Sequence, residues 1–259
     1  MVYILGFTFA DGSLYKTSLS WDIQKRDLNI LQKINNALDS TYPISNRKNS
    51  YRLRISNQVF INGAINKGLF PKKKFRNELP QIPDKLVRHF VRGYLDGDGW
   101  IIHRTGRNEI DLGFVSGNEE FLTHLRNKIF NRLDIYSKVR RKSKTTPHGV
   151  KSVTFLIEYY STNAVEVAEW LYGDLDGGDI YLERKFLKYL EAVEIYNKHL
   201  ARYRGKRQVC KELGESLRNI MLNLSKKRGL NGMQIARELN TSKSSAYRWL
   251  EITGVKYLN

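Results

Sequence analysis

A short apolar segment that ends in Asp-Gly occurs twice in this sequence, and the duplication restricts the fold more than any other feature. Residues 4–12 read Ile-Leu-Gly-Phe-Thr-Phe-Ala-Asp-Gly, and residues 91–99 read Val-Arg-Gly-Tyr-Leu-Asp-Gly-Asp-Gly. Each copy predicts a helix that ends at the Asp-Gly pair, because glycine is readily placed just past a helix end. Since Asp11 and Asp98 are 87 residues apart, we expect a repeated structural unit of that length.

The patterns around each copy also repeat, in the order helix, strand, strand, helix, strand, strand, helix. Apolar residues recur at helical spacing in residues 22–38 and 118–133. Leu53 and Ile55 alternate with polar or cationic residues, which is typical of a strand with one buried face. The predicted fold class is therefore α+β, with two pseudo-symmetric αββαββα units that we place at residues 1–83 and 84–205.

The last part of the chain, residues 206–259, predicts a small all-α domain. Residues 231–239 and 243–250 read as two helices joined by a short turn, a helix-turn-helix-like pattern. We interpret it as an accessory DNA-binding domain, although a simple helical hairpin fits the same pattern. Its candidate DNA contacts are Lys243, Ser244 and Arg248.

Net charge points to a polyanionic partner. The formal charge is +18, while 41% of the residues are still hydrophobic, so the chain can fold and present a basic face. The single Cys210 excludes an internal disulfide and a cysteine zinc site. No apolar run approaches the ~18 residues of a membrane span, and no signal segment precedes the first helix. We therefore expect a cytoplasmic protein, and an organellar or phage origin stays open.

The small residues of the duplicated segment suggest a chemical site. Gly6 and Ala10, like Gly93 and Gly97, are four residues apart and so lie on one helix face. Packing the two helices along these faces would make the two motif acids neighbours, at the negative ends of two helix dipoles. A divalent cation would remove this repulsion, and carboxylate ligands with phosphate and water suit Mg²⁺. The predicted chemistry is metal-assisted phosphodiester hydrolysis. Two ordinary helix ends are the alternative, which the duplication makes less attractive.

These segments resemble the paired motif of the LAGLIDADG homing endonucleases, in the single-chain form with two motifs, here with a helix-turn-helix-like extension. The resemblance implies a monomer whose two four-stranded antiparallel sheets form a saddle over double-stranded DNA with a long, nearly asymmetric target site. It implies that Asp11 and Asp98 bind the metal, with the backbone carbonyls of Ala10 and Gly97. The first copy departs from the family, because Phe9 stands where the second copy has Asp96.

The resemblance also implies a catalytic lysine near each acid. Residues 71–73, Pro-Lys-Lys, match the family's proline–x–lysine pattern and identify Lys73, and residues 181–185 identify Lys185. A solvated lysine or a nonspecific phosphate contact fits these positions as well. The implied cofactor is Mg²⁺, or another divalent cation such as Mn²⁺, with Ca²⁺ expected to bind without supporting cleavage.

Sequence-specific contacts are expected from the sheets, since a β-ribbon fits the major groove and arginine reads guanine there. Some of the basic residues would touch only phosphates. The candidates are Arg52, Arg54, His103, Arg104, Arg107, Lys138, Arg140 and Lys142.

The sequence thus predicts a site-specific endonuclease that cuts both DNA strands and is encoded by an intron. An intein origin is disfavoured, because no splicing block flanks the repeat. Two alternatives remain. A non-cleaving transcription regulator could use the same scaffold, although Asp11 and Asp98 are both kept, and an intron RNA maturase would bind RNA instead of duplex DNA.

Overall fold

The computed structural model describes residues 1–15, 17–71, 76–104, 109–145, 151–200 and 206–255 of the chain. Its backbone contacts form two units, Met1–Val193 and Glu194–Asn259. Both copies of the duplicated segment lie in the first unit. The domain boundaries predicted after residues 83 and 205 stay predictions.

The first repeat has the predicted order of elements. It begins with the first motif helix, which ends at the motif acid and leads directly into a strand. Its elements are α1 (Val2–Asp11), β1 (Gly12–Tyr15), β2 (Ser18–Gln24), α2 (Leu28–Ala37), β3 (Ile44–Asn46), β4 (Ser50–Ile55) and α3 (Gln58–Asn66).

The second repeat follows the same order and adds one long helix. Its elements are α4 (Val87–Asp98), β5 (Gly99–Arg104), β6 (Glu109–Ser116), α5 (Glu119–Leu133), β7 (Arg140–Thr145), β8 (Lys151–Tyr160), α6 (Ser161–Tyr172) and α7 (Glu183–Leu200).

Each repeat contributes one antiparallel four-stranded sheet, with strand orders β1-β2-β4-β3 and β5-β6-β8-β7. One face of each sheet is buried under helices. In the first sheet Trp21, Leu53 and Ile55 are at most 3% exposed, and in the second Leu112, Phe114 and Ile157 are fully buried. These alternating apolar positions confirm the predicted α+β class and leave the opposite face of the first sheet open to solvent.

The two motif helices pack with their backbones in direct contact. A methyl group at Gly6 would lie 2.1 Å from the Phe90 carbonyl oxygen, and one at Gly93 would lie 2.2 Å from that of Tyr3. Gly6 lies 87 positions before Gly93, and Tyr3 lies 87 positions before Phe90, so this contact between the two motif helices, the seam, has pseudo-twofold symmetry. Such distances exclude any side chain at these positions, which explains why glycine is needed there.

The glycine after each motif acid has a different role from the one expected. Gly12 and Gly99 are extended, with φ of −72° and −120°, so neither needs the left-handed conformation. Instead, a methyl group would lie 2.4 Å from the Thr8 oxygen at Gly12, and 2.5 Å from a Leu95 methyl at Gly99. These glycines therefore let the chain pass tightly from the motif helix into the next strand.

One predicted boundary is wrong. Residues 22–24 were expected to begin a helix, but they complete β2, and α2 starts at Leu28. The reason is cross-strand pairing, because Asp22 lies opposite Arg52 and Ile23 opposite Tyr51 in the ladder with β4. Ile23 fits both patterns, and the sheet partner decides between them.

The second unit has its own apolar core, formed by residues such as Ile220, Met221, Ile235, Ala246 and Leu250. The helices are α8 (Lys206–Leu213), α9 (Leu217–Leu222) with a π-helical stretch over Asn223–Lys227, α10 (Gly232–Glu238) and α11 (Lys243–Ile252). Within the described parts of both units, no helix is long and apolar enough to cross a membrane.

The seam predicts a large difference between two kinds of Gly→Ala substitution. Gly6→Ala and Gly93→Ala should each destabilise the first unit by about 1–3 kcal/mol or more, because the new methyl group meets backbone that cannot move aside. Gly63→Ala in α3 is the matched control, since a methyl group there meets nothing within 4 Å. The control should be neutral or stabilise by roughly 1 kcal/mol. Urea unfolding of the full chain measures both, and equal midpoints for Gly6→Ala and Gly63→Ala would contradict the seam.

Candidate active site at the ends of the motif helices

The motif acids are the last residues of α1 and α4, and both are half-buried. A methyl group at Gly97 would lie 3.3 Å from the Asp11 Oδ2 atom and 2.3 Å from the Ala10 Cβ atom. The Asp11 carboxylate therefore lies against α4 one residue before Asp98. Both acids also act electrostatically on the buried Lys185 ammonium. The packing seam thus brings together the two acids that the sequence singled out.

Lys185, in α7, binds the backbone carbonyls at the carboxyl end of α4. Its Nζ atom donates to the carbonyl oxygens of Leu95 at 2.5 Å, Asp96 at 2.8 Å and Gly99 at 2.7 Å, and the residue is 3% exposed. Burial lowers the pKa of Lys185 to about 8, and Asp96 opposes that shift. Since all three ammonium donors are engaged by carbonyls, Lys185 stabilises the helix end next to Asp98.

A buried network around Asp96 holds Lys185 in place. The Asp96 carboxylate accepts hydrogen bonds from the Tyr3 hydroxyl at 2.7 Å, the Tyr172 hydroxyl at 2.6 Å and the Leu182 amide at 2.8 Å. Burial raises the pKa of Asp96, while the charge of Lys185 and these hydrogen bonds oppose the rise. Because the Leu182 amide immediately precedes α7, Asp96 ties the start of that helix to α4.

The residues at the two helix ends suit a hard divalent cation. They offer two half-buried carboxylates and the adjacent backbone carbonyls, so the available donors are all oxygen atoms, as Mg²⁺ prefers. Among the described residues, no group of three or more His, Cys, Asp or Glu side chains is arranged so that it could hold a metal ion. A cation held by Asp11 and Asp98 would also offset the negative ends of α1 and α4.

The solvent-facing side of the first sheet carries Arg52 and Arg54, as predicted. Arg54 is exposed, whereas Arg52 donates from Nε to Asp22 Oδ2 at 2.7 Å. Burial alone would raise the pKa of Asp22, but the hydrogen bonds from Ser50 and Arg52 together with the charge of Arg52 outweigh it and lower the pKa. The sequence interpretation overlooked the other polar residues of this face, which the alternation within β1 and β2 would have revealed: Ser13, Tyr15, Ser20, Asp22 and Gln24.

Two adjacent residues predicted to contact DNA lie on opposite faces of the second sheet. His103 lies on the helix-covered face, where its Nδ1 atom is 3.0 Å from Glu191 Oε1 and its side chain is 11% exposed. Arg104 lies on the opposite face and pairs with Asp111. Because successive side chains of a strand point to opposite faces, both residues cannot reach DNA from one surface, and we do not retain His103 as a contact.

The remaining candidates on this side are exposed. Arg140 is in β7, where its Nη1 atom lies 3.7 Å from Glu158, and Lys142 is two residues further along the strand. Lys138 precedes β7 instead of lying within it. Lys73 and Arg107 fall outside the described residues.

In the second unit, α10 and α11 are joined by residues 239–242. Asn231 caps α10 in a reciprocal capping box with Gln234, and Ser242 caps α11 by accepting from the Ser245 amide at 3.0 Å. Lys243, Ser244 and Arg248 are exposed, whereas the apolar residues of both helices are buried. Tyr247 is half-buried, and its ring covers Gly232.

Comparisons with known proteins agree with this geometry. Residues 85–171 match the family described as LAGLIDADG-like domain. A double mutant of the homing endonuclease I-SmaMI has a similar fold, with a TM-score of 0.53 at 12% identity over 77% of this chain and 92% of that chain. The I-LtrWI LAGLIDADG homing endonuclease, bound to its target DNA, gives 0.50 at 11% identity over 77% and 90%.

A sequence relative is found within a much longer protein. A Methanocaldococcus jannaschii protein described as "Probable translation initiation factor IF-2" is 30% identical over 173 residues. The match covers 63% of this chain but only 14% of that protein. The activity of the whole protein therefore does not transfer to this chain.

The second repeat matches the LAGLIDADG-like domain family, and the first unit is similar in its two-sheet fold to single-chain LAGLIDADG homing endonucleases. The resemblance inferred from the duplicated segment is thereby confirmed, with the family profile covering the second repeat and the fold covering both.

The Asp96 network predicts a specific loss of stability. Asp96→Ala should cost about 2–4 kcal/mol, because it leaves two tyrosine hydroxyls and one amide without their buried acceptor. Asp96→Asn keeps the shape and should cost less. Glu120→Ala, at an exposed position in the first turn of α5, is the control and should change stability by under ~0.5 kcal/mol. Chemical denaturation followed by tyrosine fluorescence measures all three, and an Asp96→Ala variant as stable as the control would refute the network.

Proposed function

We propose that this protein is a site-specific, metal-dependent endonuclease that hydrolyses both strands of duplex DNA and acts as a monomer. The observation that carries the proposal is the convergence of Asp11 and Asp98 at the paired ends of α1 and α4. Two sheets, one from each repeat, accompany this pair of acids. A net charge of +18 supports a polyanionic substrate.

The proposed roles follow from the placement of each group. Asp11 and Asp98, with the carbonyls of Ala10 and Gly97, would hold Mg²⁺ or a similar divalent cation. When bound, such an ion polarises the scissile phosphate and lowers the pKa of its water. The backbone contact between α1 and α4 would keep the carboxylates at fixed positions. The positive charge of Lys185 would stabilise the negative charge that develops on the phosphate in the transition state. Structural relatives prepared with target DNA or with calcium ions support this assignment of substrate and ion class.

The exposed sheet faces would follow the DNA on either side of the acids. Arg54, Arg140 and Lys142 are the best placed for base or phosphate contacts, since their side chains are exposed on strands or strand ends. Arg52 and Arg104 already pair with acids, which fixes their guanidinium groups without removing all their donors. Lys73 and Arg107 stay predictions.

We also propose that an intron encodes the protein, but the structure bears on this point only indirectly. The relative that matches over 14% of its own length shows that a similar segment can be carried inside a longer polypeptide. Sequencing the DNA on both sides of the reading frame separates an intron from an in-frame insertion, and joining those flanks supplies a candidate target site.

The proposed function predicts that both acids are needed for double-strand cleavage. Asp11→Asn and Asp98→Asn should each slow cleavage of at least one strand about 100-fold or more, because a charged ligand of the reacting centre is lost. DNA binding should survive, since the substitution keeps the shape. The assay uses a labelled duplex built from the joined flanking sequences with Mg²⁺, and Asp39→Asn, at an exposed position after α2, is the matched control.

Undiminished cleavage by both variants would remove the assignment. Binding without cleavage under Mg²⁺ and Mn²⁺ would favour the non-cleaving regulator. Preference for intron RNA over duplex DNA in a filter-binding comparison would favour the maturase.

We also propose that α10 and α11 form an accessory DNA-binding module, with Lys243, Ser244 and Arg248 at its surface. The capped start of α11 is supported by Ser242, and helix N-termini of this kind favour phosphate. The double substitution Lys243→Ala with Arg248→Ala in the full chain should reduce the slope of log K against log salt by about 1–2. Lys211→Ala with Lys226→Ala, at exposed positions on other elements of the unit, is the control. Equal slopes for the two double variants would contradict the module.

A further inference from the structure

A second buried cation lies at the end of α1, where no sequence pattern predicts one. Arg76 is 3% exposed. Its Nη1 atom donates to the Phe9 carbonyl at 2.7 Å and the Thr8 carbonyl at 3.4 Å, and its Nη2 atom donates to the Gly12 carbonyl at 3.3 Å. Its Nε atom donates to the Phe70 carbonyl at 3.0 Å. The guanidinium therefore closes the carboxyl end of the first motif helix.

The acceptors of Arg76 and Lys185 correspond one to one. Lys185 binds the carbonyls of residues 95, 96 and 99, and Arg76 binds those of residues 8, 9 and 12, each of which is 87 positions earlier. The two cations thus occupy equivalent places in the pseudo-twofold arrangement. They are not themselves 87 residues apart, because each reaches its helix end from a different connection.

The two cations have different side chains beside them, and each side chain suits its cation. Asp96, which acts electrostatically on Lys185, is replaced in the first repeat by Phe9. The Arg76 guanidinium carbon lies 5.7 Å from the centre of the Phe9 ring. A planar guanidinium stacks on aromatic rings and an ammonium pairs well with a carboxylate, so each repeat combines a cation with a suitable partner.

Arg76 also approaches the acid of the opposite motif helix. With Asp98, Tyr94 and Ser116 it lines a cavity of about 20 Å³. Burial lowers the pKa of Arg76 to about 10, and the charge of Asp98 opposes that shift, so the guanidinium stays charged at neutral pH. The negative charge of Asp11 likewise acts to raise the pKa of Lys185.

We propose that Arg76 is the positioning residue of the first half of the site, as Lys185 is of the second. This assignment rests on the proposed endonuclease function. Three carbonyls at each helix end carry the negative end of a helix dipole next to two carboxylates. A buried cation bound to these carbonyls fixes the last turn and offsets its charge, and so holds Asp11 or Asp98 at the seam. Arg76 is then the counterpart of Lys185 in the first repeat.

The test compares strands, because loss of folding would affect both equally. In a duplex carrying the joined flanking sequences and a different label on each strand, Arg76→Met should slow one strand about tenfold or more, as loss of a supporting contact typically does. Lys185→Met should slow the other strand. Arg76→Lys keeps the charge but loses the contact with Phe9, and should fall between wild type and Arg76→Met. Arg132→Met, at an exposed position on α5, should leave both strands unchanged.

A second readout does not depend on cleavage. Hydrogen exchange of the full chain without metal should become faster in residues 8–15 for Arg76→Met and in residues 95–102 for Lys185→Met. The assignment is overturned if Arg76→Met slows both strands equally, slows the same strand as Lys185→Met, or leaves residues 8–15 as protected as in the wild type. If the wild type cuts no DNA, the proposed function fails, and hydrogen exchange alone then decides the role of Arg76.

Discussion

Direct backbone contact between α1 and α4 is the constraint on which the rest of the first unit depends. With 2.1 Å between the Phe90 oxygen and the place where a Gly6 methyl group would be, the helices have no room for side chains at the crossing. This distance fixes the relative position of the two repeats within the unit. It also fixes where the helices end, since each passes through a second tight glycine directly into a strand. The location of both motif acids is therefore a consequence of packing.

The same packing brings negative charges close together, and two buried cations offset their repulsion. Two helix ends with partial negative charge meet beside two carboxylates, which is unfavourable without compensation. Lys185 and Arg76 each satisfy three carbonyls and bring one positive charge to the seam. Burying a charge is costly unless its polar atoms are satisfied, and the hydrogen bonds to backbone carbonyls satisfy those of Lys185 and Arg76. These contacts hold the helix ends in position without any ligand.

The sequence predicted the fold well because its strongest signal is a repetition. Small residues four positions apart occur in both copies of the segment, 87 residues apart. They imply a symmetric contact between the two motif helices that does not depend on the identity of the surrounding side chains. Arg76 could not be predicted in this way, because its connection to α1 has no counterpart at the same spacing in the second repeat. His103 was a different case: it neighbours Arg104 in a strand, so alternation alone places one of the two on the covered face. The end of β2 was misplaced because Ile23 satisfies both periodicities, and only its partner in β4 settles the matter.

Symmetry in the backbone and asymmetry in the side chains have a common explanation. In the second repeat Asp96 accepts from Leu182, which anchors the start of α7 and with it Lys185. Phe9 cannot accept a hydrogen bond, so the first repeat needs another anchor for its cation. Arg76 has five donors where lysine has three, and it uses the additional Nε–H to bind the Phe70 carbonyl. The exchange of aspartate for phenylalanine at one motif position thus accounts for the exchange of lysine for arginine at the helix end, and the two halves of the site are chemically unequal although their backbones correspond.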